Sequence, residues 1–329
     1  MLVFANGGDA HDTASPHDAE LPHVGVGTVI EEISVREGLV VHMSITTPVT
    51  TSMPLPFSFL INEKPGNTVV PFYELDVEHT RLMHVIGVRS DLNEFRHIHP
   101  EPSPDDPAVF RIEHTFDNPG EYKFWSEIAR GQQHFTFGHP MFMVTGDGVE
   151  SKKVISLARN VIVGDYQVAL SVPQRIATGR AADLTFDVHT LVGDGIALEE
   201  YLGEPMHLVA IKGDLSQFVH AHPTEAHTHA INTLAPVAHA HGPTGDAPGY
   251  EPVNFHVAFP TAGFYKLFAQ FRPQGANLDT DETLTATFWV EVKDSTLAPA
   301  TGQVLLTTVS LVLMALLSVW VYRYIHRTA

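Results

Sequence analysis

Two short stretches of this chain carry histidines at alternate positions directly before a proline. They are EFRHIHPEP at residues 94–102 and QFVHAHPTE at residues 217–225. A wider alignment of LMHVIGVRSDLNEFRHIHP (82–100) on PMHLVAIKGDLSQFVHAHP (205–223) needs no gap and adds a third histidine to each copy. Three neutral imidazoles with an open fourth position suit zinc or copper. The candidate metal ligands are therefore His84, His97 and His99 in one copy and His207, His220 and His222 in the other.

Each aligned segment is predicted to form a β-hairpin that brings its three histidines to one face of a sheet. The turn falls in SDLNE, where Asp91 suits an Asx-type turn. An even-length loop places His84 opposite His97 or His99, and directly paired residues point to the same side. His97 and His99 are two residues apart in a strand, so they share that side as well. The methionine that precedes the first histidine of each copy alternates to the opposite face, which argues against its sulfur as a ligand.

The same pattern is also consistent with a structural role for the histidines. His84 shares its parity with Ile86 and Val88, so the histidines of one copy can instead close the end of an apolar core. The sequence leaves both interpretations open. His79 is a weaker candidate ligand, because its counterpart in the second copy is Leu202. Further weak candidates, supported by composition alone, lie in a polar loop of the second copy: His227, His229, His239 and His241.

The duplication extends beyond the histidines, since FDNPGEYKFW (116–125) returns as FPTAGFYKLF (259–268), with a seam near residues 145–151. Short apolar or alternating runs between Gly, Pro, Asn and Asp predict about seven strands per copy, typical of an immunoglobulin-like sandwich. We therefore predict an all-β fold with two tandem immunoglobulin-like β-sandwich domains. Their expected bounds are 25–148 and 152–293, with a His-rich loop at 224–249. Each copy is expected to bury its own core, so that residues 152–294 fold alone.

Composition excludes several classes of function. The chain has 329 residues and a net charge of −19, and its 19 basic residues form no cluster that would neutralise the phosphates of a nucleic acid. It contains no cysteine, which removes disulfides, thiolate metal sites and cysteine nucleophiles. No hydrolase, metalloprotease or phosphate-binding motif appears, so we expect a protein that is not an enzyme.

The two ends of the chain predict its location. Residues 304–322 carry no charge and are long enough to cross a hydrocarbon core of ~30 Å. Arg323 and Arg327 follow, and the positive-inside rule places them in the cytoplasm. We predict a transmembrane helix at 303–322 and a cytoplasmic tail at 323–329, with the bulk of the chain extracytoplasmic. Residues 1–24 are interpreted as the remnant of a signal peptide, cleaved before Asn6, followed by a flexible tail that contains histidines.

The run ELDVEHTRLMHVIGVRSDLNEFRHIHPE (74–101) resembles a group of exported bacterial β-sandwich proteins with an MHLxxVxxDLxxFxHxHP motif, the YtkA-like and FixH-like group. Some members of that group are linked to heavy-metal handling. In the first copy the resemblance carries over to His79, His84, Asp91, Phe95, His97, His99 and Pro100. In the second copy it carries over to His207, Asp214, Phe218, His220, His222 and Pro223, and the pattern is broken at Leu202.

The function expected from these features is that of a membrane-anchored extracytoplasmic metal-binding protein that serves as a chaperone, buffer or resistance factor. Copper is the first choice of metal and zinc the second. Metal affinity is expected to fall below about pH 6, because protons compete for imidazole near its ordinary pKa of ~6.5. The alternative is a non-enzymatic assembly or interaction module in which the histidines are structural. Expected partners are the membrane, a metal ion and a membrane metal transporter or respiratory oxidase, and no nucleic acid.

Overall fold

A computed structural model describes residues 29–223, 247–279 and 281–295. In these ranges the chain is all-β, and the helical elements are two short 3-10 turns at Glu32–Ser34 and Phe72–Glu74. Among the described residues, no helix has the length and apolar character that a membrane span requires. The predicted N-terminal tail and the predicted span at 303–322 lie outside the described residues, as does most of the His-rich loop.

The first repeat (repeat 1, residues 29–145) is a sandwich of two sheets. Its strands are β1 (Val29–Glu31), β2 (Gly38–Ile45), β3 (Val49–Thr50), β4 (Pro54–Lys64), β5 (Thr68–Val69), β6 (His84–Arg89), β7 (Phe95–Ile98), β8 (Glu101–Pro102), β9 (Val109–Thr115), β10 (Gly120–Arg130), β11 (Gln133–Gly138) and β12 (Phe142–Thr145). One sheet contains β1, β3, β6, β7, β10, β11 and β12, and the other contains β2, β4, β5, β8 and β9. Phe57 and Phe124 meet between the sheets, with ring centroids 5.4 Å apart. Their cluster is the core of repeat 1.

The second repeat (repeat 2, residues 160–293) has the same two-sheet construction. Its strands are β13 (Asn160–Val163), β14 (Tyr166–Ser171), β15 (Ile176–Ala177), β16 (Ala181–Thr190), β17 (Leu198–Glu199), β18 (Met206–Lys212), β19 (Phe218–Ala221), β20 (Val253–Ala258), β21 (Gly263–Pro273) and β22 (Leu284–Lys293). One sheet contains β13, β14, β16 and β20, and the other is built around β15, β22, β21, β18 and β19. Phe186, Phe255 and Phe288 lie in the core between them.

Strands β6 and β18 differ from a strand such as β4 because both of their faces are buried. On β4, buried and more exposed residues largely alternate, as on a strand with one face toward a core. Every residue of β6 is buried, and so is every residue of β18 except the last. Met83 and Val85 face the core of repeat 1, while Ile86 and Val88 belong to a separate apolar cluster. A second layer must therefore cover the outer face of each strand.

The covering layer is the other repeat. Trp125 of β10 stacks on Phe218 of β19 with ring centroids 5.2 Å apart, and Phe95 of β7 stacks on Phe268 of β21 at 4.4 Å. Phe95 and Phe218 are equivalent in the alignment, as are Trp125 and Phe268, so the two contacts are reciprocal. This is the pattern of an interface with two-fold symmetry, here within one chain. The repeat pattern alone does not predict this shared cluster, which is completed by Ile86, Val88, Leu92, Val209, Ile211 and Trp289.

The turns of the two hairpins have the predicted Asx geometry. The backbone N–H of Asn93 donates to Asp91 Oδ1 at 3.1 Å, and that of Ser216 donates to Asp214 Oδ1 at 3.0 Å. In repeat 1 the turn also fixes the segment between the repeats, because the N–H of Lys152 donates to Asp91 Oδ2 at 2.9 Å. The buried Arg89 holds the same carboxylate in a two-point contact at 2.9 Å. Turn and connecting segment are therefore one hydrogen-bonded unit.

Candidate metal centre

The hairpins β6–β7 and β18–β19 place the six predicted histidines. Ile86 pairs with His97 in the first hairpin, and Val209 pairs with His220 in the second. Continuing each register by one pair on the same face brings His84 opposite His99, and His207 opposite His222. The three imidazoles of a repeat therefore converge at the open end of its hairpin, beside the apolar cluster that the repeats share.

The convergence is close enough for a metal ion. One ring nitrogen from each of His84, His97 and His99 (the repeat-1 triad) lies within 4.8 Å of the others, and the same holds for His207, His220 and His222 (the repeat-2 triad). Nitrogens that are bound tetrahedrally at ~2.0–2.1 Å from zinc lie ~3.3 Å apart. The first histidine of each triad is buried, with exposures of 4% for His84 and 0% for His207, and the other four are half-buried.

The outer nitrogen of the first histidine in each triad is held by a backbone carbonyl. Nε2 of His84 lies 3.0 Å from the carbonyl oxygen of Glu78, and Nε2 of His207 lies 2.8 Å from that of Tyr201. A carbonyl oxygen only accepts, so Nε2 carries the proton in both rings and Nδ1 is left with its lone pair. Glu78 and Tyr201 are equivalent in the alignment, which means that the two repeats fix the tautomer in the same way.

The outer nitrogen of the middle histidine is held by the other repeat. Nδ1 of His97 lies 2.7 Å from Oε1 of Gln270, and Nδ1 of His220 lies 2.6 Å from Oε2 of Glu127. Gln270 pairs with His207 in the sheet and Glu127 pairs with His84, so the two residues occupy equivalent positions. Each oxygen accepts the Nδ1 proton, and Nε2 of each middle histidine is left with its lone pair.

In the neutral tautomers the inward nitrogens of the first two histidines of each triad are therefore acceptors without donors. Nδ1 of His84 lies 3.1 Å from Nε2 of His97, and neither atom has a proton to share in the neutral tautomers. Among the described residues, the buried inward nitrogens without a hydrogen-bond partner include His99 Nε2, His207 Nδ1, His220 Nε2 and His222 Nε2. Buried polar atoms are nearly always paired, and unpaired ones cost about 1–3 kcal/mol each. A cation at the centre of each triad would satisfy these inward nitrogens.

Burial keeps five imidazoles of the two triads neutral, those of His84, His97, His99, His207 and His222. Together with the neighbouring histidines, it lowers the pKa of His84 to about 4, that of His99 to about 3 and that of His207 to about 2. The pKa values of His97 and His222 also lie well below the ordinary value, for the same two reasons. Neutral imidazole is the form that binds a metal. These five imidazoles are thus ready to coordinate a cation at neutral pH without first losing protons.

The two triads lie side by side across the pseudo-two-fold interface. Ring centroids of His84 and His220 are 6.1 Å apart, and those of His97 and His207 are 6.0 Å apart, again a reciprocal pair. His79 of repeat 1 lies against the triad of repeat 2, stacked on His222 with centroids 3.6 Å apart. Rings that share one metal are farther apart than this; within the triads the centroids are separated by 4.6–6.0 Å. His79 therefore covers the repeat-2 triad and does not complete the set in its own repeat.

The other predictions on site residues divide as follows. The four loop histidines at 227, 229, 239 and 241 lie outside the described residues. Met83 and Met206 face the cores of their own sandwiches, as predicted from strand alternation. Sequence reasoning missed Glu127 and Gln270, since neither lies in a motif. Their equivalence at the position that pairs with the first histidine becomes visible only when the alignment is continued past residues 125 and 268.

A second histidine network, also not predicted, lies beside the core of repeat 1, where His139 contacts Phe59. His139 Nδ1 donates to Glu32 Oε2 at 2.6 Å, and the Ser126 hydroxyl donates to His139 Nε2 at 2.9 Å. The order acid, imidazole, hydroxyl is that of a hydrolase triad. Ser126 and His139 are both 0% exposed, so the hydroxyl is closed to a substrate. The network instead ties the 3-10 turn at Glu32–Ser34 to β10.

Comparison with known proteins identifies a family but no activity. No curated protein matches this chain. Native E. coli alpha-2-macroglobulin aligns at 10% identity with a TM-score of 0.23, over 78% of this chain and 17% of its own length. For domains 5–6 of the S-layer protein SbsC the identity is 11% and the TM-score 0.18, over 79% of this chain and 100% of that one. A Corynebacterium diphtheriae protein described as membrane anchored aligns at 8% identity with a TM-score of 0.21, over 78% and 57%.

At TM-scores this low, these likenesses say nothing about function. This chain spans only a small part of the macroglobulin, 17% of its length. A family model, in contrast, matches both repeats separately, at residues 34–144 and 160–294. The two matches together cover well over half of the chain and exclude the segment between the repeats. The chain belongs to the family described as a domain of unknown function, DUF8832.

Proposed function

We propose that this protein is a membrane-anchored, extracytoplasmic metal-binding protein that holds copper or zinc in two three-histidine sites and serves as a metal chaperone, buffer or resistance factor. One observation carries the proposal. In each triad the outer nitrogens of the first two histidines donate to fixed oxygens, and the inward nitrogens converge without a donor. The lone pairs that converge at the centre of each site would be satisfied by a bound cation.

The donor set favours late transition metals. Imidazole suits copper and zinc, whereas calcium and magnesium take oxygen ligands. Each triad offers three nitrogens and no carboxylate among the grouped ligands. Three protein ligands leave one position open, as in sites that exchange a ligand, whereas structural zinc sites are closed by a fourth.

The location rests on the sequence. Residues 304–322 have the length and apolar character of a membrane span, and arginines follow at positions 323 and 327. With the C-terminus in the cytoplasm, both repeats lie outside. The absence of cysteine agrees with a compartment where free thiols are at risk of oxidation. A histidine-only site is well suited to hold copper or zinc in such a compartment.

The test is the metal content of the full chain, purified in detergent without an affinity tag. After exposure to Cu(II) or Zn(II) and gel filtration, changing His84, His97 and His99 together to Ala should remove one equivalent, and changing His207, His220 and His222 should remove another. The matched control changes two exposed histidines that pair with carboxylates, His134 and His256, and should remove none. Unchanged metal content in both triple variants would refute the proposal.

A second candidate is a non-enzymatic assembly module in which the histidines join the repeats. One observation favours it: the bonds from His97 to Gln270 and from His220 to Glu127 cross the interface and hold the repeats together without a metal. On this alternative the triple variants lose stability and retain their metal content. The same samples, measured by thermal unfolding with and without a chelator, separate the two functions.

A further inference from the structure

The two triads have the same three ligands and differ in their neighbours. In the repeat-2 triad the middle histidine donates its Nδ1 proton to a carboxylate, that of Glu127 of repeat 1, at 2.6 Å. In the repeat-1 triad it donates to a neutral amide, that of Gln270 of repeat 2, at 2.7 Å. Both acceptors come from the same strand position, the one paired with the first histidine of their own repeat. The two-fold pseudo-symmetry is therefore broken at the residue that accepts the outer N–H of the middle histidine, which is charged in one site and neutral in the other.

A carboxylate and an amide act differently on a metal-binding imidazole. A carboxylate that accepts the outer N–H increases the basicity of the ligand and fixes its orientation, and loss of such a partner typically lowers metal affinity 10–100-fold. It also adds a negative charge close to the cation in a site with little water. The side chains of Glu127 and His220 are 17% and 7% exposed. Thr136 donates to the other oxygen of Glu127 at 3.0 Å, so both carboxylate oxygens are engaged.

A second difference between the triads also favours a cation in the repeat-2 triad. Arg81 of repeat 1 repels positive charge at His99, and at His84 the same repulsion is opposed by the attraction of Glu127. The equivalent position in repeat 2 is Glu204, whose Oε1 lies 3.9 Å from Nδ1 of His79, the ring that covers His222. Arg81 is partly neutralised by Glu101, at 3.1 Å, and by Asp281, at 3.5 Å. The effect of Arg81 on the repeat-1 triad is thus smaller than the effect of Glu127 on the repeat-2 triad.

We infer that the two sites are unequal, that the repeat-2 triad binds its metal first and more tightly, and that Glu127 is the positioning residue responsible. This inference rests on the proposed function. The chain would then hold one ion firmly at His207, His220 and His222, and exchange a second one at His84, His97 and His99. Such a pair lets one protein retain an ion while it passes another on.

The test uses zinc and the full chain in detergent, with affinity measured by competition against a chromophoric chelator. The variant that retains only the repeat-2 triad should bind zinc 10–100-fold more tightly than the variant that retains only the repeat-1 triad. E127Q should remove that advantage in the first variant and weaken binding by the second variant much less, because Glu127 acts on His84 through its charge but holds His220 by a hydrogen bond as well. E121Q, which removes a charge from an exposed position of the same strand, should change neither affinity.

The decisive variant is Q270E, because damage to the fold cannot raise an affinity. It should strengthen the repeat-1 site about 10-fold or more, and a shifted imidazole Nδ1–H resonance of His97 should report the new carboxylate contact. Equal affinities in the two single-site variants, or no gain with Q270E, would overturn the inference. If neither triad binds zinc, the proposed function itself fails, which is a distinct result. Should a triple variant not fold, the two binding steps of the otherwise unchanged E127Q and Q270E chains give the same comparison.

Discussion

Nδ1 of His84 and Nε2 of His97 face each other at 3.1 Å, although the one N–H group of each neutral ring donates to an oxygen on its far side. Two lone pairs at that distance repel, and only a shared proton or a metal cation makes the contact favourable. Burial lowers the pKa of His84 to about 4, so the proton is absent at neutral pH. The metal-free protein therefore carries a local electrostatic cost that a bound cation removes.

This cost predicts an unusual response to His99→Leu. In the metal-free protein the change removes a buried nitrogen that has no partner among the described residues, so the free energy of unfolding should stay constant or rise by about 1 kcal/mol. The stabilisation by zinc at that triad should be lost. Urea unfolding at pH 7.5, with chelator and with zinc, measures both effects.

The matched control for that variant is His139→Leu. His139 is more deeply buried than His99, and both of its ring nitrogens are engaged, by Glu32 and Ser126. Its loss leaves two polar partners unsatisfied and should cost about 3 kcal/mol. If His99→Leu destabilises the metal-free chain as much as His139→Leu does, the triads are architecture and not ligands.

The stability of the metal-free protein should fall as the pH is lowered from about 6.5 towards 4. The pKa values of His84, about 4, and His99, about 3, lie below the unfolded value of ~6.5, so in this window the unfolded chain binds more protons than the folded chain. Each such histidine contributes a slope of up to about 1.4 kcal/mol per pH unit. Melting temperatures measured between pH 7.5 and 5, above the range in which most carboxylates titrate, isolate the effect.

The same low pKa values lower the pH at which the metal is expected to be released. Ordinary imidazoles would lose their metal near pH 6, as the sequence alone suggests. Protons compete only weakly with a metal for buried imidazoles whose pKa is about 4 or below. Zinc should therefore stay bound at pH 5.5. A zinc titration repeated at pH 7.5, 6.5 and 5.5 tests this, and a release midpoint near pH 6.5 would contradict the burial argument.

Repeat 2 produced alone should associate into dimers. Separation from repeat 1 exposes the outer face of β18 and its neighbours, including Ile211, Phe218 and Phe268, which are 0–3% exposed in the whole chain. Because the interface is reciprocal, a second copy of repeat 2 presents a matching surface. Sedimentation of residues 152–295 at micromolar concentration should show a dimer, and Ile211→Asp should shift it to monomer. A stable wild-type monomer would mean that the shared cluster contributes little.

Protease accessibility tests the proposed orientation. Added to spheroplasts, a protease should digest both repeats and leave the segment after Arg323 protected, because the positively charged end stays in the cytoplasm. Antibodies to an epitope placed at each end report the two outcomes. Protection of residues 29–295 in intact spheroplasts, with digestion only after lysis, would place the metal sites inside the cell and contradict the proposal.

Local features of the candidate site follow from the sequence, and those that depend on packing between the repeats do not. The spacing of His97 and His99, the turn at Asp91 and the inward direction of Met83 all follow from strand alternation and short-range turn chemistry. Alternation also shows that His84 shares a face with Ile86 and Val88. It cannot show what covers that face, because the covering residues are more than one hundred positions away in the chain.

One signal in the sequence does point to a covering layer. The runs MHVIGV and MHLVAI are apolar at both parities, as expected for strands that are buried on two sides. In a two-sheet sandwich only one side faces the core, so the second apolar side requires a further partner. The sequence does not distinguish another protein from the sister repeat as that partner. The stacking of Trp125 and Phe95 on rings of repeat 2 identifies it as the sister repeat.

The reciprocal face also has a consequence for how such a protein can change over generations. In a dimer of identical single repeats, one codon would specify both Glu127 and Gln270, and every substitution would act on both sites at once. Joining the copies in one chain gives each position its own codon while it preserves the symmetric packing. The carboxylate on one side and the amide on the other are a difference that only the fused arrangement can hold, so duplication here allows two sites with one geometry to acquire separate tasks.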